Sequence, residues 1–274
     1  MRLIQINRNP LDLTLGTPKM PARAETAARN PGSEALLLQR EDQETRNRIL
    51  LALPQKVREQ MLRHCQRVEF PSGHMIYPAG APVEHAYFIE SGLVSLVKSM
   101  EDGQSVEVGA IGTEGIVGLF AVYGFDNALA DYLVQVPVVA QRVKRTTLRD
   151  ELSNHEVFHG LVEKYMFLLV YQIAQAAACN RLHSLEQRLS RWLLTAHDNA
   201  FADHFSFTHE FLAALLGVQR PSLSTAANRL QKRGLIRYMH GRVTILDRAA
   251  IEKAACECYR TIRQRIDALF DEAG

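Results

Sequence analysis

The side chains best suited to chemistry are basic and lie near the C-terminal end of the chain. Between residues 219 and 242 there are six arginines and lysines and no aspartate or glutamate. The formal net charge of the whole chain is only +2, so this stretch is far more basic than its surroundings. Guanidinium and ammonium groups bind phosphate oxygens, which favours a surface that binds nucleic acid. The alternative is a basic, solvated face without a partner. The six residues are Arg220, Arg229, Lys232, Arg233, Arg237 and Arg242.

Local signals around these residues predict a helix-turn-helix followed by a wing. Thr208 can cap a first helix through its hydroxyl, and Gly217 can end that helix in a left-handed conformation. Pro221 lies where the first residue of a second helix tolerates a missing N–H. Two short β runs then flank His240-Gly241, as in the hairpin of a winged helix.

Cysteine and histidine are the other residue types that could carry chemistry. The four cysteines form neither a disulfide framework nor paired CxxC motifs, which suits a reducing compartment. If Cys256 and Cys258 lay on one helix, their side chains would point about 200° apart and could not share a metal. We therefore expect core cysteines and no metal or cofactor. The cysteines are Cys65, Cys179, Cys256 and Cys258.

Motifs of enzymes and of membrane proteins are missing from the sequence. It contains no HExxH zinc motif, no phosphate loop with Lys-Ser/Thr and no GxSxG elbow, so we do not expect an enzyme. No apolar run approaches the ~20 residues that cross a bilayer, and the N-terminus lacks the apolar core of a signal peptide. With 274 residues, 47% of them hydrophobic, the chain is expected to form about two domains in the cytoplasm without a membrane partner.

A hydrophobic period of two from residue 67 to residue 143 predicts an antiparallel β-roll. Glycine-rich turns separate the candidate strands, and Asp102-Gly103 between two alternating runs is a strong hairpin signal. Ser91-Gly92 is interpreted as a turn as well. The candidate strands are residues 67–70, 74–77, 86–90, 93–98, 105–110, 132–136 and 138–143.

The region before the predicted roll has two parts. Residues 1–33 contain four prolines and no sustained period, which predicts disorder. A helix is predicted from Ser33 or Glu34 to Leu53, and Pro54-Gln55 can begin another that runs to about Cys65.

One long helix is predicted over residues 156–179. Apolar residues recur in alternating steps of four and three, which is the spacing of a coiled-coil seam. We interpret this face as a dimerisation seam; the alternative is a core helix of a monomer. Its residues are Phe158, Val162, Tyr165, Leu169, Gln172 and Ala176, followed by Cys179.

Two further helices are expected after this seam helix. Ser184 and Gln187 have the spacing of a capping box, so a new helix should begin there. After the wing, Asp247 can cap a last helix that carries one apolar stripe from Ile251 to Leu269.

The order of β-roll, seam helix and winged helix resembles the Crp/Fnr superfamily of bacterial transcription regulators. The resemblance covers residues 50–246 and is most specific in residues 207–236. It implies an α+β chain divided at residues 34–153 (cyclic-nucleotide-binding-like roll), 154–183 (coupling and dimerisation helix) and 184–274 (DNA-binding domain). It also implies a homodimer that binds palindromic double-stranded DNA, with RNA polymerase as a further partner and two recognition helices about 34 Å apart.

The resemblance also assigns roles on the DNA-binding surface. Arg220 falls where the family commonly has a base-reading residue, and its fork could bind guanine O6 and N7. Pro221 and Thr225 stand where the family typically has Glu and Arg, so an unfamiliar operator is expected. Basic residues further along are expected to bind phosphates. The predicted DNA contacts are Thr208, Gln219, Arg220, Ser222, Ser224, Thr225, Arg229, Lys232, Arg233 and Arg242.

The ligand pockets of the family are not matched. The Gly-Glu that would bind a ribose reads Gly118-Leu119, and the Arg-Ser that would bind a cyclic phosphate reads Ala128-Leu129. Apolar side chains cannot make these charge-assisted bonds, so no response to cyclic AMP is expected. The iron–sulfur branch needs clustered cysteines near the N-terminus, and only Cys65 lies in that half.

Two alternatives remain open at this point. The apolar residues 116–125 could line a pocket for a hydrophobic effector, or they could plug the roll. The chain could also be a sensory module whose winged helix binds protein instead of DNA. The acid-free surface of residues 219–242 favours DNA, because a protein-docking winged helix has no need of it.

Overall fold

A computed structural model describes residues 45–202, 204–239 and 241–271, all within the compact unit Gln43–Gly274. The predicted disordered segment 1–33 lies outside these residues, as does the start of the helix predicted from Ser33 or Glu34. That helix does not run unbroken to Leu53, because residues 45–47 are not helical. Instead Asn47 caps a short helix by accepting from the N–H of Leu50 at 3.2 Å.

From residue 45 to residue 144, the structure has two short helices followed by strands. The helices are α1 (Arg48–Leu51) and α2 (Gln55–Arg63). The strands are β1 (Gln66–Phe70), β2 (Met75–Tyr77), β3 (His85–Ser99), β4 (Ser105–Ile111), β5 (Ile116–Val117) and β6 (Asp131–Lys144), with a 3-10 helix at Leu119–Tyr123. The sheet order is β1-β6-β3-β4, while β2 also pairs with β6 and β5 with β3. Each of these pairings is antiparallel, which confirms the predicted roll.

Two of the predicted breaks in the roll lie inside long strands. The runs 86–90 and 93–98 form the single strand β3, and the runs 132–136 and 138–143 form β6. Gly92 is a bulge and not a turn: Ser91 pairs with Val139 and Leu93 with Val136. Gly92 has φ of 87°, and a Cβ there would lie 2.2 Å from the carbonyl oxygen of Pro137. Only glycine fits this close approach, where the register of the long strands shifts.

The C-terminal half is helical apart from a small sheet. Its helices are α3 (Arg145–Asn154), α4 (Glu156–Leu182), α5 (Leu185–Ala200), α6 (His209–Leu215), α7 (Arg220–Lys232), α8 (Arg248–Ala254) and α9 (Cys258–Asp271). The strands β7 (His204–Ser206), β8 (Ile236–Met239) and β9 (Arg242–Ile245) form an antiparallel sheet in the order β7-β9-β8. The capping box at Ser184 and the cap at Asp247 are confirmed. Strand β7 was not predicted.

The predicted seam of the long helix α4 lies on the inward face of that helix. The predicted residues are at most 6% exposed and pack against the roll and α9 within one chain. For example, the rings of Phe88 and Phe158 lie 6.4 Å apart. A face that is covered by its own chain cannot pair with a partner helix, so the assignment of these side chains to dimerisation is corrected. They are Phe158, Val162, Tyr165, Leu169, Gln172 and Ala176.

The predicted last helix is two helices. The chain leaves helical geometry at residues 255–257, between α8 and α9. Helix α9 then returns along α4 to the N-terminal helices, where Asp267 accepts from Arg48 at 2.9 Å and Leu269 is buried. Helix α9 therefore connects the region of α5–α8 to the roll.

Candidate nucleic-acid interface

Helices α6 and α7 form the predicted helix-turn-helix. The Thr208 hydroxyl accepts from the N–H of Phe211 at 3.1 Å, which confirms the first cap. Gly217 follows α6 with φ of 61°, and Gln219 precedes the first residue of α7, Arg220. Pro221 is the second residue of α7, where no intrahelical N–H bond is lost.

One side of α7 is buried and the other is exposed. Leu223, Ala226, Ala227 and Leu230 pack into the core of α5–α8. The opposite face offers polar and basic side chains to solvent, and the described part of residues 219–242 carries no acidic side chain. The exposed predicted contacts are Thr208, Gln219, Arg220, Ser222, Thr225, Arg229, Lys232, Arg233 and Arg242.

Ser224 differs from the other predicted contacts. It is half-buried, and its Oγ lies 2.9 Å from Nδ1 of His209. The His209 ring also stacks on Tyr238 of the wing, with centroids 4.3 Å apart. Ser224 therefore joins α7 to α6, which makes it a supporting residue of the motif. Burial and the nearby Arg220 charge lower the pKa of His209. His209 was not among the predicted contacts, although its position as first residue of a capped helix is compatible with this contact.

Two other predicted contacts already use their polar groups within the chain. The Thr225 hydroxyl donates to the carbonyl of Pro221 at 3.0 Å. Arg233 Nη1 lies 2.6 Å from Oε1 of Glu186 on α5. Thr225 therefore offers mainly its methyl group and an oxygen lone pair, while Arg233 must leave Glu186 before it can bind a phosphate.

Helix α5, which shares a hydrophobic core with the motif, is held to the roll by a buried polar network. Trp192 of α5 donates from Nε1 to Oε1 of Gln135 at 2.7 Å, and Nε2 of Gln135 donates to Glu107 at 2.8 Å. Glu107 also accepts from Ser95. Burial raises the pKa of Glu107, an effect that the charge of Arg191 opposes. Apolar residues of β3 and β6 share one core with α5, so the two regions pack directly.

A cavity of about 230 Å³ lies between the roll, α4, α5 and α9. Its wall carries charged groups of both signs, among them Glu114, Asp198 and Arg263. Asp198 is paired with Arg248 at 2.7 Å and with Arg263 at 2.9 Å. Burial raises the pKa of Glu114. The sequence did not reveal this cavity, because its walls come from four distant segments.

The segment 116–125 packs into the roll. Leu119, Ala121 and Val122 are buried among core residues, which is the arrangement of a plug. Gly118 precedes the 3-10 helix with φ of 80°. At the other positions compared with a cyclic-nucleotide site, Ala128 is buried and Leu129 is 45% exposed.

Three of the cysteines, which were expected to be core residues without a metal, converge with a histidine. Cys256 lies in the break between α8 and α9, so Cys256 and Cys258 do not share one helix and their sulfurs can face one point. The ligand atoms of Cys179, His183, Cys256 and Cys258 all lie within 4.8 Å of one another. The hydrogen bond with Cys256 lowers the pKa of Cys179, while burial raises the pKa of Cys258. The spacing Cys179-x3-His183 at a helix end was the available sequence signal.

Within the described residues, no helix is both long and apolar enough to cross a membrane.

Comparisons with known proteins match both halves of the chain. The model of the Crp-like helix-turn-helix domain matches residues 187–254, and that of the cyclic nucleotide-binding domain matches residues 67–155. The chain is 27% identical to the transcriptional regulator SdrP of Thermus thermophilus, over 69% of this chain and 94% of that protein. It is 22% identical to a CRP-like cAMP-activated global transcriptional regulator of Mycobacterium tuberculosis, over 71% of this chain and 90% of that protein.

Solved structures show the same fold. A CRP-family transcriptional regulator from Thermus thermophilus superposes with a TM-score of 0.58 at 24% identity, covering 69% of this chain and 96% of that one. FixK2 from Bradyrhizobium japonicum superposes with a TM-score of 0.59 at 14% identity, covering 70% and 98%.

Proposed function

Because the chain belongs to the Crp/Fnr superfamily, we propose that this transcription regulator binds palindromic double-stranded DNA as a homodimer. The observation that carries the proposal is the exposed face of α7. It begins at Arg220 and continues through Arg229 and Lys232, and residues 219–242 include no aspartate or glutamate. A face of one charge sign on a helix that projects from a turn suits the major groove.

Arg220 is proposed as the base-reading residue. It is exposed at the first position of α7, and the N-terminal residues of a recognition helix are those that contact base edges. Its planar fork can donate to guanine O6 and N7 together. Arg229 and Lys232 lie further along α7, and Arg242 lies on β9. These three side chains are proposed to bind phosphates, which positions the protein without specifying sequence.

The outward face of α4 is proposed as the dimer interface. A second series with steps of three and four starts at Phe167, two residues after the inward Tyr165 and therefore about 200° around the helix. Phe167 is 75% exposed and Val170 is 58% exposed, and small residues continue the series toward the C-terminal end of α4. The series is Phe167, Val170, Ala174, Ala177 and Arg181, all exposed.

A second copy of the chain fits this face better than other occupants. Large apolar side chains spaced alternately by three and four residues pack as knobs into holes between the equivalent residues of a second helix. The pairing places two copies of α7 on one assembly, as a palindrome requires.

We propose residues 34–153 as the sensor region, 154–183 as the coupling helix and 184–274 as the DNA-binding region.

The sensor region is proposed not to respond to cyclic AMP. A bound cyclic phosphate needs charge-assisted hydrogen bonds. Leu119, Ala128 and Leu129 supply no polar side-chain atom at the compared positions.

The relatives are transcription regulators, and catalysis is not part of the proposal. RNA polymerase is retained as a proposed partner.

Selection of genomic fragments with the purified protein tests this function. We expect recovered fragments to share a palindrome whose half-site centres are about 34 Å apart, one helical turn. A single, unrepeated half-site would contradict the dimer. Recovery of no fragment above background would contradict DNA binding and favour a winged helix that binds protein.

A further inference from the structure

The side-chain cluster at the end of α4 has the composition of a tetrahedral metal site. Cys179 lies in the last turn of α4, and His183 directly follows that helix, with its backbone N–H donating to the carbonyl of Cys179 at 3.2 Å. Cys256 and Cys258 approach from the break between α8 and α9. Three thiols and one imidazole make the Cys₃His set found in structural zinc sites.

The distances within the cluster agree with such a site. Zinc–sulfur bonds of about 2.3 Å and zinc–nitrogen bonds of about 2.0 Å place two sulfurs about 3.8 Å apart and sulfur and nitrogen about 3.5 Å apart in a tetrahedron. The sulfurs of Cys179 and Cys256 lie 3.6 Å apart, and the sulfur of Cys258 lies 3.5 Å from Nδ1 of His183. No pair of the four ligand atoms is separated by more than 4.8 Å.

A second, independent observation is the outer layer of hydrogen bonds. The imidazole of His183 turns Nδ1 to the sulfurs, while its Nε2 lies 3.2 Å from Oε1 of Glu257. A carboxylate on the far nitrogen fixes the tautomer and orientation of metal-binding histidines. Gln175 adds an N–H donor, 3.0 Å from the sulfur of Cys258. These contacts orient ligand atoms toward one point.

A disulfide explains the cluster less well. The sulfurs of Cys179 and Cys256 are 3.6 Å apart, against about 2.05 Å for a bond. A bond between them would leave Cys258 and the oriented His183 without a role. All four cysteines of the chain are free thiols.

We propose that Cys179, His183, Cys256 and Cys258 bind one Zn²⁺ ion. The ion joins the C-terminal end of the coupling helix α4 to the α8–α9 turn. Because each bound thiolate has released its proton, binding displaces protons from the cysteines. The site therefore fixes where α9 begins, and with it the return of the C-terminus to α4 and the roll. Metal binding is independent of whether α7 reads DNA.

Cobalt substitution tests the site directly. The full-length protein, reduced and stripped of metal, is titrated with Co²⁺ under anaerobic conditions. We expect one Co²⁺ per chain, with the intense ligand-field bands of tetrahedral cobalt and sulfur-to-cobalt charge transfer, both abolished by one equivalent of Zn²⁺. Weak octahedral bands, or no saturation near one equivalent, would overturn the proposal.

Variants identify the ligands, with the fourth cysteine as matched control. Cys258→Ser and His183→Ala should each weaken Co²⁺ binding at least about tenfold, as loss of a ligand or its orientation does in metal sites. Cys65→Ser, which removes a thiol that donates to the carbonyl of Met61, should leave the bands unchanged. Loss of the bands in Cys65→Ser, or their persistence in both other variants, would contradict the assignment.

Thiol counting on the wild-type protein avoids the case in which a variant fails to fold. Zn²⁺ should protect three of the four native-state thiols from an alkylating reagent, and a chelator should expose them. Equal alkylation with and without Zn²⁺ would overturn the site. So would mass spectrometric detection of a Cys179–Cys256 disulfide in the protein as isolated.

Discussion

The indole of Trp192 donates from Nε1 to the side-chain oxygen of Gln135 at 2.7 Å, in a fully buried contact between α5 and β6. Gln135 in turn donates to Glu107 of β4 at 2.8 Å. The first helix of the DNA-binding region is thus held by polar groups of the roll.

Replacement of Trp192 tests how much this contact stabilises the packing of the two regions. Trp192→Phe keeps an aromatic ring but leaves the oxygen of Gln135 without its donor. An unsatisfied buried acceptor costs roughly 1–3 kcal/mol, so the free energy of unfolding should fall by that amount. Urea denaturation measures it. In a double-mutant cycle with Gln135→Leu, the double variant should lose less unfolding free energy than the sum of the losses in the two single variants. Strict additivity would show that the two side chains are not coupled.

The dimer interface can be tested with a charge on the outward face of α4. Phe167→Glu should yield monomers, because pairing would bury the new carboxylate in an apolar seam. Met100→Glu is the matched control: Met100 is 63% exposed, but it lies in the β3–β4 hairpin. Sedimentation equilibrium measures the mass. If Phe167→Glu remains dimeric, the interface lies elsewhere.

The role of Arg220 can be separated from that of a phosphate contact. Arg220→Ala should cost roughly 1–3 kcal/mol of specific binding and remove the preference for one base pair in each half-site. Lys232→Ala should weaken binding to all sequences alike. Binding to a library of half-site variants distinguishes these results, and uniform weakening by Arg220→Ala would make it a phosphate contact.

The lowered pKa of His209 predicts a pH dependence of stability. In the unfolded chain the imidazole of His209 has its ordinary pKa of 6.5 and binds a proton below that pH. In the folded chain the same imidazole binds a proton only at lower pH. The stabilising contribution is therefore complete above pH 6.5 and is lost as the pH falls toward the folded pKa. His209→Gln should reduce this slope in urea midpoints measured across that window. His204→Gln, at an exposed position, is the control; equal slopes in wild type and His209→Gln would contradict the assignment.

Features with local causes were predictable from the sequence. The caps at Thr208 and Asp247 and the left-handed Gly217 depend on neighbouring residues, so the helix-turn-helix was predicted closely. Gly92 was harder, because a glycine with positive φ serves a bulge or a turn equally well. Only the pairing of β3 with β6 decides between them.

Features that depend on tertiary packing could not be predicted in the same way. The hydrophobic period of α4 correctly predicted which residues form its apolar stripe. The period alone does not determine whether the roll of the same chain or a second chain covers that stripe. Tyr165 and Phe167 lie on opposite sides of the helix, and the first is 1% exposed while the second is 75% exposed. The prediction that Cys256 and Cys258 cannot share a metal assumed that both lie on one continuous helix, and the helix breaks at residues 255–257.

The salt dependence of DNA binding shows whether the basic side chains of α7 contact phosphates. A fragment recovered by selection is titrated with the protein across a range of salt concentrations. Each neutralised phosphate releases counterions, so the logarithm of affinity should fall steeply and linearly with the logarithm of salt, with a slope of about −0.9 per contact. Lys232→Ala should make that slope shallower by about 1 for each contact removed. An affinity that does not change with salt would contradict DNA binding through the basic face of α7.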